Sequence, residues 1–399
     1  MDYKKVLELG ESYRDDVASF LADIVSIKSL SGEEGEVVER IKKEMEKLDF
    51  DDAFIDPLGN VIGRIGEGPI TIAFDGHVDV VDADVSAWNT PPFEARVIDG
   101  KIYGRGSCDQ KGGVASLVYG GKILKELGLD KDFTFYFVGS VMEEDSDGLP
   151  WLYILNEDKI SPEIVVLTEP TNLKIARGHR GRMEIGVRTH GLSAHGSAPE
   201  RGINAIYKMA PLILEIEKLN DRLKVDEFLG KGTVAVTEVK SKSPSLCAIP
   251  YECSIHLDRR LTQGEDKELA IAQIKALLRD DDTEVFVHMY ERPSHTGLVY
   301  PMEKYYPTWT IPSDHPAVKG AVESFKGLFE KEPVVDKWVF STNGVAIKGL
   351  KGVDCVGFGP GNEIYAHAPN EFIPIDDLVK AMEFYAAFPA NYKKYKEGL

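Results

Sequence analysis

Several short apolar runs in this chain end on side chains that can bind metal ions or move protons. "TIAFDGHVDVVD" sets His77 and Asp79 directly after Gly76, and "IYGRGSCDQKGG" delivers Asp109 into a glycine-rich turn. "FTFYFVGSVMEED" delivers Glu143 and Glu144, "EIVVLTEP" delivers Glu169, and "CVGFGPGNEIYAHAPNE" delivers His367. One histidine at a strand end is ordinarily a hydrogen-bonded structural residue. Convergence of all these segments is different, because clustered carboxylates repel one another and lose hydration unless cations lie between them. Imidazoles with carboxylates suit zinc, manganese or cobalt, and the donors suffice for two ions if one carboxylate bridges.

The elements that must position these residues alternate between helix and strand. "EEGEVVERIKKEMEKLDF" has helical apolar spacing, "DDAFIDPLGNVIGRIG" reads as short strands with turns, and "VASLVYGGKILKELG" is a helix that stops at Gly128. With "FTFYFVGSVM" and "EIVVLT" as buried strands, the pattern predicts an α/β sheet whose strand ends gather the functional loops. Between about Arg180 and His295 the order becomes "RMEIGVRTHG", helix, "TVAVTEVKS", "ECSIHLDRRL", helix, "EVFVHMYER", a β-α-β-β-α-β insertion. The predicted division is therefore a discontinuous catalytic, metal-binding part, 1–179 with 296–399, and an inserted part, 180–295.

Bulk properties narrow the partners. With 47 Lys+Arg against 66 Asp+Glu, a formal charge of -19, the chain would repel nucleic acid and anionic membranes. Its 4 cysteines show no CxxC spacing, which fits a reducing cytoplasm. The N-terminal stretch mixes acids into every turn and lacks a signal-peptide core, and "FTFYFVGSVM" is far short of the roughly 20 residues that cross a bilayer.

The motifs resemble those of the M20-type metallohydrolases, the group of acetylornithine deacetylase, succinyl-diaminopimelate desuccinylase, aminoacylase and glutamate carboxypeptidase. The matching stretches are "GHVDVV", "YGRGSCDQKGG", "EED", "TEPT", "GLSAHGSAPERGINAI" and "AHAPNE", in family order from about residue 70 to residue 371. Within that group the chain is most similar to a hydrolase branch linked to selenium metabolism. The resemblance implies a binuclear-metal aminopeptidase-like mixed sheet flanked by helices, with a ferredoxin-like lid that also forms a homodimer.

It further implies that His77, Asp109 and Glu169 hold one divalent cation while Asp109, Glu144 and His367 hold the other. Zinc is the first choice, with cobalt or manganese also suited. Asp79 would accept the free N–H of His77 and fix its tautomer, and the peptide after Asp109 would be cis. Glu143 would be the general base that takes a proton from the water between the cations and returns it to the departing amine. His195 would stabilise the oxyanion, from its own chain or from a second copy. Arg260, in "HLDRRL", would clamp a substrate carboxylate while Arg259 points to the other face. In "STNGVA", Thr342, Asn343 and Gly344 would either contact the substrate main chain or cap a helix.

The function implied is hydrolysis of an amide bond in a small N-acyl amino acid or peptide-like substrate. Glu rather than Asp at 169 favours deacylase or carboxypeptidase chemistry. Attack on an N-carbamoyl group is the alternative, followed by dipeptidase action. A binding protein that has lost catalysis would have lost a ligand or the base, and none of those positions is lost.

Overall fold

The computed structural model describes residues 1–398. Its larger sheet has eight strands, in the order Asp52–Ile55, Val61–Ile65, Phe133–Ser140, Ile70–His77, Ile164–Leu167, Asp354–Gly357, Ile175–Ala176 and Val335–Asp336. The four from Phe133–Ser140 to Asp354–Gly357 run parallel, and Val61–Ile65 joins them antiparallel, so the sheet is mixed.

Side-chain alternation explains why these central strands read as continuous apolar runs. Ile72 and Phe74 point into one core, with Ile164, Val166, Phe135 and Phe137, whereas Ala73, Val165 and Leu167 enter a second core with Trp151, Trp309 and Trp338. Both faces are covered, so both sets of alternate positions are apolar through the strand centres, with the polar Asp75 and His77 toward the end of Ile70–His77. The long helix Ile375–Lys396 packs on the first face: Tyr385 lies 5.6 Å from Phe74, and Phe384 stacks on Phe358 at 3.7 Å. Each parallel strand then ends on the same edge of the sheet, which is why His77, the Glu143–Glu144 turn and Glu169 open into one place.

The smaller sheet has the order Thr233–Lys242, Glu252–Leu261, Gly181–His190, Glu284–Val287. In chain order this is 2-3-1-4, the antiparallel split βαβ topology expected from the sequence. Met183, Ile185, Val187, Ile255 and Leu257 build a separate core beneath the helices Ala205–Asp221 and Lys267–Lys275. The other face of the same strands carries Arg182, Glu184, His256, Asp258 and Arg260. Arg259 lies on the core side, buried and ion-paired with Glu265 at 2.7 Å. Past the expected return at residue 296, Tyr305–Tyr306 still pairs with Met183 and Arg182, so the chain crosses back later than its apolar pattern suggested. Among the described residues no helix is long and apolar enough to cross a membrane.

Phe74 anchors the strand that ends in His77, fully buried and stacked on Phe137 at 5.3 Å. Phe74→Ala is expected to cost about 3–5 kcal/mol of unfolding free energy in a denaturant titration. A loss below about 1 kcal/mol would show that this packing does not hold the strand.

Candidate metal centre

His77 is the last residue of its strand and almost wholly buried. Its Nδ1–H donates to the backbone carbonyl of Asp79 at 2.9 Å, which orients the ring with Nε2 toward the carboxylates. Nε2 stands 3.0 Å from Asp109 Oδ1 and 3.9 Å from Glu169 Oε1. On the far side, His367 Nε2 is 3.4 Å from Asp109 Oδ2 and 3.0 Å from Glu144. Asp109 thus turns one oxygen toward each imidazole. One ligand atom from each of His77, Asp109 and Glu169 falls within 4.8 Å of the others, and so does a second set from Asp109, Glu144 and His367.

The orienting contact differs from the expectation for Asp79. Its main-chain carbonyl, not its carboxylate, holds the imidazole; the nearest carboxylate oxygen is 3.5 Å away. That carboxylate instead accepts the backbone N–H groups of Glu143 and Glu144, at 3.1 and 3.0 Å, and the Ser31 hydroxyl at 2.6 Å. Asp79 therefore fixes the backbone of the turn carrying both glutamates. Met142, just before them, takes the left-handed φ of 61°, and its N–H is held by the buried Glu34.

A second brace joins Asp109 to His367. Glu371 Oε1 accepts the backbone N–H groups of Cys108 and Asp109, at 2.8 and 2.9 Å, while its Oε2 pairs with Arg105 at 2.7 Å. Arg105 also donates to the His367 carbonyl at 3.3 Å, and His367 itself has φ 59°. Burial pushes the Glu371 carboxyl up to about 7. Glu371 closes the quoted motif "AHAPNE", but nothing in its spacing shows that it reaches back to another segment. The peptide Asp109–Gln110 is cis.

These donors fit two divalent cations. Burial pushes Glu169, Glu144 and Glu143 up, reinforced for each by neighbouring carboxylates, so the wall cannot carry all its negative charge without positive charge in its midst. Glu143 is buried, its Oε2 is 3.9 Å from His77 Nε2, and its Oε1 has no hydrogen-bond partner among the described residues. A carboxylate beside the ligand cluster that makes no hydrogen bond of its own can take and give a proton.

A cleft of about 260 Å³ lies over this cluster. Arg260 lines it, and so do Asp147, Arg182, Phe340 and Ser341, which the sequence motifs did not single out. The expectation that Asn343 and Gly344 contact substrate does not hold in this geometry. Asn343 is buried, donating to Asp75 at 2.9 Å and Ser140 at 3.0 Å and accepting the Gly148 N–H at 2.9 Å, so its amide is spent on bracing. Gly344 is buried against the Trp309 indole. Thr342 is buried too, with its N–H on His179 Nε2 at 3.1 Å. His179 also accepts the Trp309 indole N–H at 2.7 Å, and burial pulls its pKa down to about 4, which keeps it a neutral acceptor. His195 is exposed, 2.8 Å from Ser197 Oγ, and is not on the cleft wall.

Against this geometry stand the similarities to known proteins. The family described as "Peptidase family M20/M25/M40" matches residues 73–391. The chain is 50% identical over 393 residues to the uncharacterized protein YgeY of Escherichia coli strain K12, covering 98% of each. It is 26% identical to a probable succinyl-diaminopimelate desuccinylase of Staphylococcus epidermidis, over 93% of this chain and 96% of that protein. Its fold superposes on an M20 family metallo-carboxypeptidase from Sulfolobus solfataricus with a TM-score of 0.73 at 20% identity, covering 94% of this chain and 99% of the other.

Elemental analysis of protein loaded with zinc is expected to give about two ions per chain, about one for His367→Ala and fewer than one for Asp109→Ala, since only Asp109 serves both sets. Equal content in all three proteins would contradict the sharing. Glu371→Gln is expected to weaken metal binding by about 10- to 100-fold in a chelator competition with the fold intact, because the ligands keep their chemistry but lose their brace.

Proposed function

From the premise that this chain belongs to peptidase family M20/M25/M40, and with it is a metal-dependent hydrolase, we propose that it cleaves an amide bond in a small N-acyl amino acid or peptide-like substrate with Glu143 as general base. The observation that carries this reading is the pairing of a shared Asp109, one oxygen toward each imidazole, with a Glu143 carboxylate that lines the same cleft and makes no hydrogen bond among the described residues. Two divalent cations, zinc before cobalt or manganese, held by His77, Asp109 and Glu169 and by Asp109, Glu144 and His367, would lower the pKa of water and polarise the scissile carbonyl.

Glu143 takes the proton from the attacking water on its carboxylate and passes it to the departing amine. Its backbone is fixed by Asp79 and its side chain has no competing partner, so the proton travels between defined positions. Arg260 holds the substrate carboxylate. Its Nε and Nη2 are on Asp258, at 2.8 and 3.0 Å, which leaves Nη1 to face the ligand. His195 serves as the oxyanion donor when movement of the smaller sheet, or a second copy of the chain, brings it to the cleft. A homodimer through residues 180–295 is supported by the exposed Ile206, Tyr207 and Leu214 on one helix and by the free edge of strand Thr233–Lys242. Glu at 169 and the relation to a probable desuccinylase favour an acyl group over a free amino terminus.

Glu143→Gln is expected to reduce turnover at least about 100-fold while the metal content stays at the wild-type level. The assay is a panel of N-acyl amino acids, N-carbamoyl amino acids and dipeptides with zinc, cobalt or manganese. Turnover within a few-fold of wild type would remove Glu143 from the role, and release of ammonia from N-carbamoyl substrates alone would move the activity to that class.

A further inference from the structure

Arg182 and Arg260 are direct cross-strand partners on the smaller sheet, and both line the metal cleft. Like charges placed opposite one another on a sheet face repel, so the arrangement needs compensation. Each arginine has a carboxylate beside it, but the two are compensated very differently. Arg260 is held by Asp258 through two hydrogen bonds. Arg182 makes one long contact of 3.2 Å from Nη2 to Asp147 Oδ1, and its guanidinium lies over the Tyr306 ring at 4.6 Å.

The remaining hydrogen-bonding capacity is unspent. Arg182 Nε is enclosed without a partner, and so is Asp147 Oδ2. Nη1 of Arg182 and Nη1 of Arg260 make no hydrogen bond among the described residues, and neither is an enclosed orphan atom. Tyr306 and Asp147 keep Arg182 from swinging away: a ring beneath a guanidinium fixes its plane, and a single ion pair fixes its direction. The result is two guanidinium groups on facing strand positions, above a metal-ligand cluster, each with an N–H group available to a ligand. A carboxylate has two oxygens with which to accept from two donors at once, and its charge relieves the repulsion between them.

We propose that Arg182 and Arg260 together bind a single substrate carboxylate, and that this shared site restricts the cleft to substrates carrying one. The inference rests on the reading of the cleft as the substrate site and names the residue that completes its anion recognition. Arg182 is a specificity residue rather than a participant in proton transfer. Its loss is therefore felt in KM, and mainly for substrates with the carboxylate.

The test compares wild type, Arg182→Ala, Arg182→Lys and Arg260→Ala, each loaded with zinc, on N-acetyl-L-alanine, N-acetyl-L-alanine amide and N-acetyl-L-glutamate. Arg182→Ala and Arg260→Ala are each expected to raise KM for N-acetyl-L-alanine by about 10- to 100-fold with little change in kcat, and to raise it by far less for the amide. Arg182→Lys is expected to recover part of the loss, which also shows that the variants fold. A loss confined to N-acetyl-L-glutamate in Arg182→Ala would mean that the arginines hold separate anions and would overturn the proposal. A drop in kcat with KM unchanged, or no change at all, would overturn it too. Calorimetric binding of the same acid and amide to Glu143→Gln protein gives a readout independent of turnover, so failure of the hydrolytic reading is seen separately. There, acid binding no tighter than amide binding, or binding insensitive to Arg182→Ala, contradicts the shared carboxylate site.

Discussion

The constraint that organises this molecule is the position of one carboxylate. Asp109 must present its two oxygens to two imidazoles that come from segments 290 residues apart in the chain, His77 and His367. Neither imidazole has much freedom. His77 is held by a carbonyl two residues further along its own chain, and His367 by a left-handed backbone whose carbonyl is tied to Arg105. Asp109 is fixed through the amides of its own segment by Glu371, which is also paired with Arg105. One buried ion pair thus connects both ligand loops. A pair of this kind costs desolvation, and its value lies in setting geometry rather than in adding stability.

The larger sheet makes that geometry reachable. Parallel strands end together on one edge, so short turns from each can supply carboxylates to a common volume without long, mobile loops. The same feature creates an electrostatic difficulty, because Glu143, Glu144 and Glu169 are pressed together in a region where burial disfavours their charge. A site that collects negative charge in this way is complementary to cations, and the proposed role of Glu143 uses the one glutamate of the three that belongs to neither set of candidate metal ligands. The smaller sheet contributes the opposite sign. Its polar face brings Arg182 and Arg260 above the carboxylates, which gives the cleft an anionic floor and a cationic roof.

What could be read from the sequence follows from which facts are local. That the segments of His77, Asp109, Glu143–Glu144, Glu169 and His367 could converge was legible because each follows a short apolar strand, and strand ends gather in α/β sheets; which of these residues would hold metal came from the family resemblance. The split βαβ arrangement of the smaller sheet was legible from the order of alternating and helical patterns. Details that depend on backbone direction were not. Asp79 orients His77 through its carbonyl while its side chain serves a different segment, and no residue pattern distinguishes these uses. Asn343 was expected at a substrate contact or a helix cap because the family resemblance places "STNGVA" there, yet the loop turns inward and its amide braces Asp75 and Ser140. Arg182 was overlooked for the converse reason: strand alternation assigns it to a polar face, but which face overlooks the cleft depends on how the two sheets are set against each other.

Anomalous X-ray scattering at the zinc edge, from crystals of the zinc-loaded protein, tests the arrangement most directly. The account predicts two strong peaks on opposite sides of the Asp109 carboxylate, one in contact with His77 and Glu169 and the other with Glu144 and His367. A single peak, or a pair with Asp109 touching only one ion, would contradict it.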